Sequence, residues 1–336
     1  DSILDFNFND LMLKLVNEDL AGIEKALGER NIILTNTATV GSFNSSHDED
    51  GLLYTMRQSK GDWADSLMKV AATFQATAKG QPVIYYGEEI GLTGTQEWPA
   101  YTNRPDFDWN AQATQAADSN SMYNHYKKVL NIRRDYSEVF AKGTRKAVAA
   151  DSAMGYEVFS RSYEDTTIYV GVNVHGDDRQ AKFFVPGATG SVYTDLYSGK
   201  TYKVAADGSI TVTIPKAQNG GTAILVGTGV AVKDTNEITV KVHYTRDGGD
   251  YTGWNLWAWS ESGLGGAQYD FVEENGEMVA TVKKIPGRTT SRLGYHTRLN
   301  EWDAQDYGSD QWIDLKDIVS GTVHYYINSS KTGGTR

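Results

Sequence analysis

The sequence has no cysteine and little histidine. Among its 336 residues there are 0 Cys and 6 His. The absence of Cys excludes disulfides, thiolate chemistry and thiolate-bound zinc, and the scattered His residues do not form a histidine-rich metal centre. No stretch approaches the roughly 20 consecutive apolar residues that cross a bilayer. Residues 1–30 also lack the basic, apolar and small-residue pattern of a signal peptide.

Positive charge is also in short supply. The chain has 32 Lys and Arg against 43 Asp and Glu, which gives a formal net charge of -11. Because no basic stripe is present, the sequence argues against a nucleic-acid partner. With 40% apolar and 22% charged residues, the composition is that of a soluble chain long enough for two or three domains.

Aromatic residues, by contrast, are abundant and unevenly placed. The chain has 20 Tyr, 10 Phe and 8 Trp. Five of the Trp residues lie after residue 253, and none lies between residues 110 and 253. A small β-domain needs one or two Trp for its core, so the excess predicts another use for the others.

Residues 1–142 have the alternating pattern of a parallel α/β fold. Three apolar segments, SILDF, NTATVGSF and QPVIYYG, are predicted to be strands. Apolar residues recur at helical spacing over residues 8–28, 63–78 and 118–134, and Asp62 is the predicted N-cap of the second helix. The order βαβαβα is typical of a parallel sheet or barrel.

The rhythm changes near residue 142. Short β segments separated by turn signals follow, from YEVFSRSY to GTAILVG, with no helical stretch between them. This spacing predicts a β-sandwich over residues 143–228. Residues 229–236 are predicted to be a linker, and a second β domain is predicted over residues 237–330.

The segment NSSHDEDG (residues 44–51) concentrates charge next to a predicted strand. It carries His47, Asp48, Glu49 and Asp50 in four consecutive positions. In parallel α/β folds, catalytic groups collect at the C-terminal ends of strands, where acidic side chains bind sugar hydroxyls or a metal, or stabilise a developing cation. The alternative is a solvated acidic loop. Because an apolar strand runs directly into His47 and Asp48, we expect them close to the barrel axis.

Two further segments are interpreted as structural. Glu88 and Glu89, in QPVIYYGEEIGLTG, are predicted to begin a short helix, where acids suit the positive end of the helix dipole. The alternative is that they are general acids. In NRPDFDWN, Arg104 is predicted to form a structural salt bridge with Asp106 or Asp108, and the alternative is that this pair holds a loop over the site.

The segment GWNLWAW (residues 253–259) predicts an aromatic platform. Side chains alternate faces along a strand, so Trp257 and Trp259 share one face with Asn255, while Trp254 lies on the other. Two indoles about 6.6 Å apart match neighbouring sugar rings in size. Each offers a broad apolar face and one N–H donor. The alternative is that one face is core and the other a protein contact.

The segments of the first part together resemble the alpha-amylase family of enzymes (glycoside hydrolase family 13). SILDFNF, TVGSFNSSHDEDG, QPVIYYGEEIGLTG and RPDFDW occur in the order of the last three strands of that family's (β/α)8 barrel. The resemblance covers residues 1 to about 142 and continues into the β-sandwich that follows. It implies that His47 binds sugar hydroxyls at the cleavage point. It also implies that Asp48 is the third essential carboxylate, which helps distort the sugar and stabilises the transition state. Glu49 and Asp50 are then loop-forming.

The last third of the chain resembles the α-glucan-binding module often attached to pullulanases (carbohydrate-binding module family 41). The resemblance rests on VKVHYTRDGGDYTGWNLWAW and EWDAQDYGSDQWIDL. It implies that Trp257, Trp259 and Trp302 stack on sugar rings and that Asp310 is a hydrogen-bonding partner. The family usually has Lys near the position of Gln305, which donates to a hydroxyl without charge.

One departure from the first family bears on activity. Retaining glycoside hydrolysis needs a nucleophile and an acid/base, two carboxyl groups about 5 Å apart. In the family they lie on the fourth and fifth strands, and their signature segments do not occur in this sequence. We therefore expect the chain to be the C-terminal part of a larger enzyme, either a nicked product docked to an N-terminal barrel part or a truncated one, and inactive alone.

The resemblances together imply part of a retaining α-glucan hydrolase of the amylase or pullulanase type. Its partners would be starch, maltooligosaccharide or pullulan and the N-terminal barrel part. A polymeric substrate predicts secretion or a place on a bacterial cell surface. Two alternatives stay open: a non-catalytic starch- or pullulan-binding protein, and a structural spacer whose Trp cluster contacts protein. The sequence requires no cofactor. Calcium is common in the family, but its usual ligands lie upstream of the matching segments.

Overall fold

A computed structural model gives the fold of most of the chain as two compact units, residues 1–232 and 233–336. The described residues are 3–34, 36–187, 189–227, 237–260, 264–287, 290–316, 318 and 320–329, with the backbone of 331–335. The predicted linker lies outside them. Within those ranges, no helix is long and apolar enough to cross a membrane.

The first unit begins with a short parallel sheet surrounded by helices. Strands β1 (Leu4–Asp5), β2 (Gly41–Ser42) and β3 (Gln81–Pro82) pair in parallel in that order, which confirms the predicted parallel arrangement. The helices are α1 (Asn7–Met12), α2 (Leu20–Ile33), α3 (Leu52–Lys60), α4 (Trp63–Thr77), α5 (Trp109–Ala117), α6 (Met122–Asp135) and α7 (Ser137–Lys142). Single 3-10 turns form at Leu13–Asn17, Thr37–Thr39, Glu88–Ile90 and Ala217–Asn219.

The three parallel strands are shorter than their apolar segments predict. The N–H of Val83 still donates to the carbonyl of Ser42 at 2.8 Å, one residue beyond the end of β3. Pro82 has no N–H to add to the ladder, and Gly87 then turns the chain with φ 85°. The segments therefore run along the sheet, although few of their residues pair regularly.

The start of α4 also differs from its prediction. Asp62 precedes the helix, as predicted, but its backbone is already helical (φ -63°, ψ -20°) and its side chain makes no capping hydrogen bond. Asp62 is therefore not a side-chain cap. Side-chain caps occur instead at Asp19, Asp108 and Ser121, before α2, α5 and α6.

Two β-sheets that share a hydrophobic core follow in the same unit. Their strands are β4 (Thr144–Asp151), β5 (Tyr156–Tyr163), β6 (Thr166–Asn173), β7 (Arg179–Phe184), β8 (Val192–Asp195), β9 (Thr201–Lys203), β10 (Ser209–Ile214) and β11 (Thr222–Gly227). One sheet has the order β4-β5-β6-β11-β8-β9, and β7 pairs with β10 in the other. The predicted strands are confirmed, while β4 was missed because TRKAVAAD lacks a clear apolar alternation.

The six-stranded sheet and the helices share one hydrophobic core. Phe74 of α4 stacks on Phe159 of β5 with ring centroids 6.0 Å apart. Lys69, also on α4, donates to the carbonyl of Gln218 at 2.9 Å. The predicted domain boundary between residues 142 and 143 therefore stays a prediction.

The second unit is a two-sheet β structure. Its strands are β12 (Glu237–Thr245), β13 (Trp254–Ser260), β14 (Ala267–Asp270), β15 (Val272–Glu274), β16 (Glu277–Pro286), β17 (Arg292–Leu299), β18 (Ala304–Gln305), β19 (Gln311–Asp314), β20 (Gly321–Asn328) and β21 (Lys331–Thr335). One sheet has the order β15-β16-β12-β20-β21, and the other has the order β14-β13-β17-β18 with β19 also on β17. Alternate residues of the central strands, such as Val240, Val242, Leu256 and Ala258, form the core.

Candidate functional site

The acidic loop, residues 44–51, begins directly after β2 and is anchored by buried amides. Asn44 is fully buried and donates to Gln75 Oε1 at 3.0 Å. The Gln75 amide donates in turn to the carbonyls of Ser42 at 3.1 Å and Val83 at 3.0 Å. A single side chain of α4 thus fixes the ends of two parallel strands and the start of the loop.

His47 and Asp48 lie together at the surface of this loop. His47 Nε2 is 3.2 Å from Asp48 Oδ1, and the two side chains are 61% and 58% exposed. The strand that leads into them predicted a more enclosed position, but its burial ends at Asn44 and Ser45. The imidazole and the carboxylate are therefore both accessible to a ligand.

Arg104 holds the loop through partners other than those predicted. Its Nε and Nη2 donate to the carbonyl of His47 at 3.2 and 2.9 Å, and Nη2 lies 3.8 Å from Asp48 Oδ1. Asp108 instead accepts the N-cap hydrogen bond of α5. The predicted pairing of Arg104 with Asp106 or Asp108 is therefore wrong, and its positive charge faces the exposed carboxylate of the loop.

Asn103 is a second anchor, which sequence reasoning missed. Its side chain is buried, and Nδ2 lies within hydrogen-bonding distance of the carbonyls of Ser46, His47 and Glu49, at 3.4, 3.0 and 2.8 Å. Backbone carbonyls of an irregular loop lack regular partners and need such donors. The available signal was the polar pair that Asn103 forms with Arg104 directly before a proline.

The two remaining acids of the loop have different environments. Asp50 accepts hydrogen bonds from Thr95 Oγ1 at 2.7 Å and from the backbone N–H of Gln96 at 2.8 Å. This confirms its predicted loop-forming role. Burial raises the pKa of Glu49, and the nearby carboxylates, of which Asp10 has the larger effect, raise it further.

Glu88 lies behind the loop as a buried acid. It begins the 3-10 turn Glu88–Ile90, as predicted, and accepts a hydrogen bond from the Tyr126 hydroxyl at 3.3 Å. Complete burial raises its pKa well above the usual range. The complete burial of Glu88 and its place at the start of this turn support the structural interpretation.

Metal binding finds no support in the part of the chain that the structure describes. Its His, Asp and Glu side chains form no group of three or more that could hold an ion.

The second candidate site is an aromatic surface in the second unit. Leu256 and Ala258 of β13 are fully buried in the core, whereas Trp257 and Trp259 lie on the opposite face and are partly exposed. Trp254 packs against the core. These positions confirm the predicted division of faces along β13.

Trp302 joins this surface from the segment between β17 and β18. Its ring centroid lies 6.3 Å from that of Trp257, with the planes at 60°, and the residue is 51% exposed. Its φ of 154° is uncommon for a residue with a side chain, and such strained backbone persists only where the surroundings impose it. The ring centroid of Trp312 lies 5.6 Å from that of Trp259.

Gln305 and Asp310 differ in how they are connected to these rings. Gln305 is exposed on β18, opposite Arg298 of β17 in the ladder. Asp310 Oδ1 accepts a hydrogen bond from His296 Nε2 at 2.9 Å. Because His296 stacks on Trp259, it connects Asp310 to the aromatic surface. Sequence reasoning missed His296, although its alternation with β17 neighbours could have placed it on this face.

Two family models match this chain. Residues 1–113 match the model described as "Alpha amylase, catalytic domain", and residues 238–332 match "Bacterial pullanase-associated domain". Among curated proteins, an amylopullulanase of Thermoanaerobacter thermohydrosulfuricus is 32% identical over 189 residues, which are 52% of this chain and 12% of the relative. Neopullulanase 2 of Thermoactinomyces vulgaris is 22% identical over 60% of this chain and 33% of its own.

Solved structures show the same fold. An alpha-amylase from Geobacillus thermoleovorans, complexed with acarbose, matches with a TM-score of 0.58 and 18% identity over 69% of this chain and 49% of its own. A gamma-CGTase from an alkalophilic Bacillus clarkii matches with a TM-score of 0.52 and 13% identity over 97% of this chain and 60% of its own. At these identities the likeness shows the fold alone. The chain spans well under two thirds of the length of the curated relatives described above.

Proposed function

Because residues 1–113 belong to the alpha-amylase catalytic family and residues 238–332 to the pullulanase-associated family, we propose that this chain is part of a retaining α-glucan hydrolase. Its substrates would be starch-like glucans or pullulan, held by the second unit as a carbohydrate-binding module of family 41. The observation that carries the proposal is the presence of two sugar-suited sites in one chain: an accessible carboxylate–imidazole pair and a cluster of partly exposed indoles.

The acidic loop supplies one carboxylate of the hydrolase. In this proposal Asp48 stabilises the positive charge that develops on the sugar in the oxocarbenium-like transition state. His47 binds sugar hydroxyls, and Arg104 fixes the loop through the His47 carbonyl. The exposure of both ring and carboxylate supports these roles, since neither is committed to the core.

The second unit supplies the glucan-binding module. Trp257, Trp259 and Trp302 offer apolar ring faces to the C–H groups of glucose units. Asp310 and Gln305 bind hydroxyls at the edge of the glucan. The side chain of Asp310 is mostly exposed, so its second oxygen is available to a sugar hydroxyl.

An N-terminal barrel part is the proposed protein partner of the first unit. Apolar side chains are exposed at both outer strands of the parallel sheet: Ile3, Leu4 and Phe6 near β1, and Val83 and Tyr86 near β3. Beside β1 they line a groove of about 460 Å³. Barrel strands from a partner would cover these edges and bring the nucleophile and the acid/base.

Maltoheptaose and pullulan hydrolysis tests the proposal, with an intact mass measured on the same sample. We expect no sugar release by the 336-residue chain alone and release when the N-terminal part is added. Release by the chain alone would contradict the proposed division of the active site.

A non-catalytic glucan-binding protein is the second candidate, favoured by one observation. The aromatic cluster lies wholly within the second unit and needs no other polypeptide. Retardation in a starch gel with no hydrolysis after complementation would select this candidate. No retardation at all would favour a structural spacer.

We also propose that the protein acts outside the cell or on its surface. A polymeric glucan is too large to be taken up intact, so its hydrolysis has to precede uptake. Proteinase accessibility on intact cells would test this location.

A further inference from the structure

Strand β17 forms a floor beneath the aromatic cluster. Gly294, His296 and Arg298 alternate along this strand, and in the ladder Gly294 is opposite Trp259 and His296 is opposite Trp257. Side chains at alternate positions of a strand share one face. We call Gly294, His296 and Arg298 the floor residues.

Gly294 lets the indole of Trp259 lie directly on the strand. A Cβ atom at position 294 would be 2.3 Å from Trp259 Cε2 and 2.5 Å from Cζ2. These distances are far below a van der Waals contact, and they involve ring atoms of a large side chain. The ring orientation of Trp259 therefore depends on the absence of a side chain at this position.

His296 lies at the centre of the cluster. Its ring stacks on Trp259 at 5.5 Å with an angle of 27°, and it meets Trp302 edge-on at 5.4 Å. The residue is only 8% exposed, and its Nε2 donates to Asp310. Its Nδ1 has no hydrogen-bond partner within the described ranges. His296 therefore contacts three of the five residues proposed to bind glucan.

Arg298 fills the space between the other two rings. Its Cζ lies 4.3 Å from the ring centroid of Trp257 and 4.7 Å from that of Trp302, within the range of a cation–π interaction. The guanidinium is buried, and it donates to Asn255 Oδ1 at 2.9 Å and Gln268 Oε1 at 3.0 Å. Neutral acceptors thus fix its orientation and leave its charge to the indoles.

We propose that the floor residues are positioning residues that make the aromatic platform one-sided. Gly294, His296 and Arg298 occupy the inner side of the three indoles, so a sugar cannot insert between the rings and the strand. An α-glucan chain stacks on the outward faces, with neighbouring glucose units on adjacent rings. His296 holds Asp310 so that its free oxygen points to their hydroxyls. This inference rests on the proposed glucan-binding function of the second unit.

Binding of maltoheptaose to the full chain, measured by calorimetry, tests the inference. We expect His296→Ala to weaken binding at least about tenfold. His296→Gln should stay within about threefold of the parent, because its amide still donates to Asp310. A double-mutant cycle with Asp310→Ala should show effects that are clearly less than additive, as for groups that act through one contact.

Arg298 provides an independent arm of the same experiment. Arg298→Ala is expected to weaken binding about tenfold, since both Trp257 and Trp302 lose the group that fixes their inner faces, while Arg298→Lys keeps the cation and part of the packing. Thermal unfolding of the second unit shows whether an alanine variant folds. If it does not, maltoheptaose binding by His296→Gln and Arg298→Lys still tests the inference.

Trp257→Ala separates the inference about the floor residues from the proposed glucan-binding function. If Trp257→Ala abolishes binding while His296→Ala and Arg298→Ala bind like the parent, the floor inference is overturned and the binding function stands. If Trp257→Ala binds like the parent, both fail. Equal weakening by His296→Ala and His296→Gln would overturn the role given to the His296–Asp310 hydrogen bond.

Discussion

At the scale of single residues, an unusual group is the carboxyl pair that Glu157 of β5 forms with Glu24 of α2. Glu157 is buried, and Arg145 Nε donates to Glu24 Oε2 at 2.6 Å. Burial, and after it the Glu24 carboxylate, raise the pKa of Glu157 to about 8, while Arg145 lowers it. Near neutral pH the folded chain therefore keeps one proton on this carboxyl pair.

This proton makes the stability of the first unit depend on pH. The folded pKa is raised, so between about pH 4.5 and pH 8 the folded state binds a proton that the unfolded state has lost. The free energy of unfolding therefore falls as pH rises through this window. In Glu157→Gln the amide donates to Glu24 in place of that proton. We expect the free energy of unfolding of the variant to be higher than that of the parent by roughly 2–4 kcal/mol at pH 8, with little difference at pH 4.5.

Urea unfolding at pH 4.5, 6 and 8 measures this difference. Glu97→Gln is the matched control, because it is the same substitution at a residue that is exposed. A difference in the free energy of unfolding between Glu157→Gln and the parent that stays constant from pH 4.5 to pH 8 would contradict the raised pKa of Glu157.

A second residue-scale prediction concerns Asn103. Asn103→Ala leaves the carbonyls of Ser46 and Glu49 without their side-chain donor, while the His47 carbonyl keeps Arg104, and we expect a cost of about 1–3 kcal/mol. Asn103→Asp should cost more at pH 7, since it faces a carboxylate toward the same oxygens. Thermal unfolding compares the two variants with Asn110→Asp, an exposed control. Equal effects of Asn103→Asp and the control would show that Asn103 does not anchor the loop.

The sequence predicts such sites only in part. The motif with His47 and Asp48 is visible because its residues are adjacent and follow a strand. Asn103 and Arg104 contact the same loop from more than fifty positions later. That contact depends on the path of the intervening helices, and no local pattern records it. Arg104 was therefore assigned to acids near it in sequence rather than to its partner in space.

At the scale of elements, Arg161 connects helix ends to the six-stranded sheet. It is fully buried on β5, and it donates to the carbonyls of Thr77, Phe140 and Gly143, the last two at 2.8 Å. Helix C-termini leave carbonyls without partners and favour a cation. One guanidinium thus completes the ends of α4 and α7.

Replacing Arg161 should destabilise the first unit strongly. Arg161→Met leaves several buried carbonyls unsatisfied, and we expect a loss of about 3–5 kcal/mol in the free energy of unfolding. The control is Arg57→Met, which breaks an ion pair with Asp65 whose two side chains are 39% and 47% exposed, and should cost less than about 1 kcal/mol. Urea unfolding measures both, and a similar cost for the two would contradict the role of Arg161.

The two faces of β13 should separate stability from binding. Leu256→Ala creates a cavity in the core of the second unit and should cost about 2–4 kcal/mol. Trp257→Ala should cost less than half of that and abolish glucan binding. Calorimetric unfolding and gel retardation measure the two effects. Loss of binding by Leu256→Ala in a folded unit would show that the faces are not independent.

The elements differ in how far the sequence predicts them. The period of two in β13 alone assigns Leu256 to the core and Trp257 to the surface. The floor beneath the indoles depends on which residue of β17 lies opposite each Trp, and this register follows from the whole sheet. The short β1–β3 ladder likewise reflects pairing partners rather than the apolar content of each segment.

At the scale of the whole molecule, we propose that part of a hydrolase is joined to a glucan-binding module. The chain covers 12% of the amylopullulanase and 49% of the alpha-amylase structure described above. The Asp48 carboxylate of its acidic loop is exposed, and retaining hydrolysis needs two carboxyl groups in addition to it. We propose that Asp48 acts together with carboxylates supplied by another polypeptide.

The decisive measurement is reducing-sugar release from maltoheptaose by the chain mixed with the N-terminal barrel part. We predict no release by either part alone, release by the mixture, and a loss of at least about a hundredfold for Asp48→Asn. Glu49→Gln, which removes the neighbouring charge, should stay within about tenfold of the parent. An Asp48→Asn mixture as active as the parent would contradict the account.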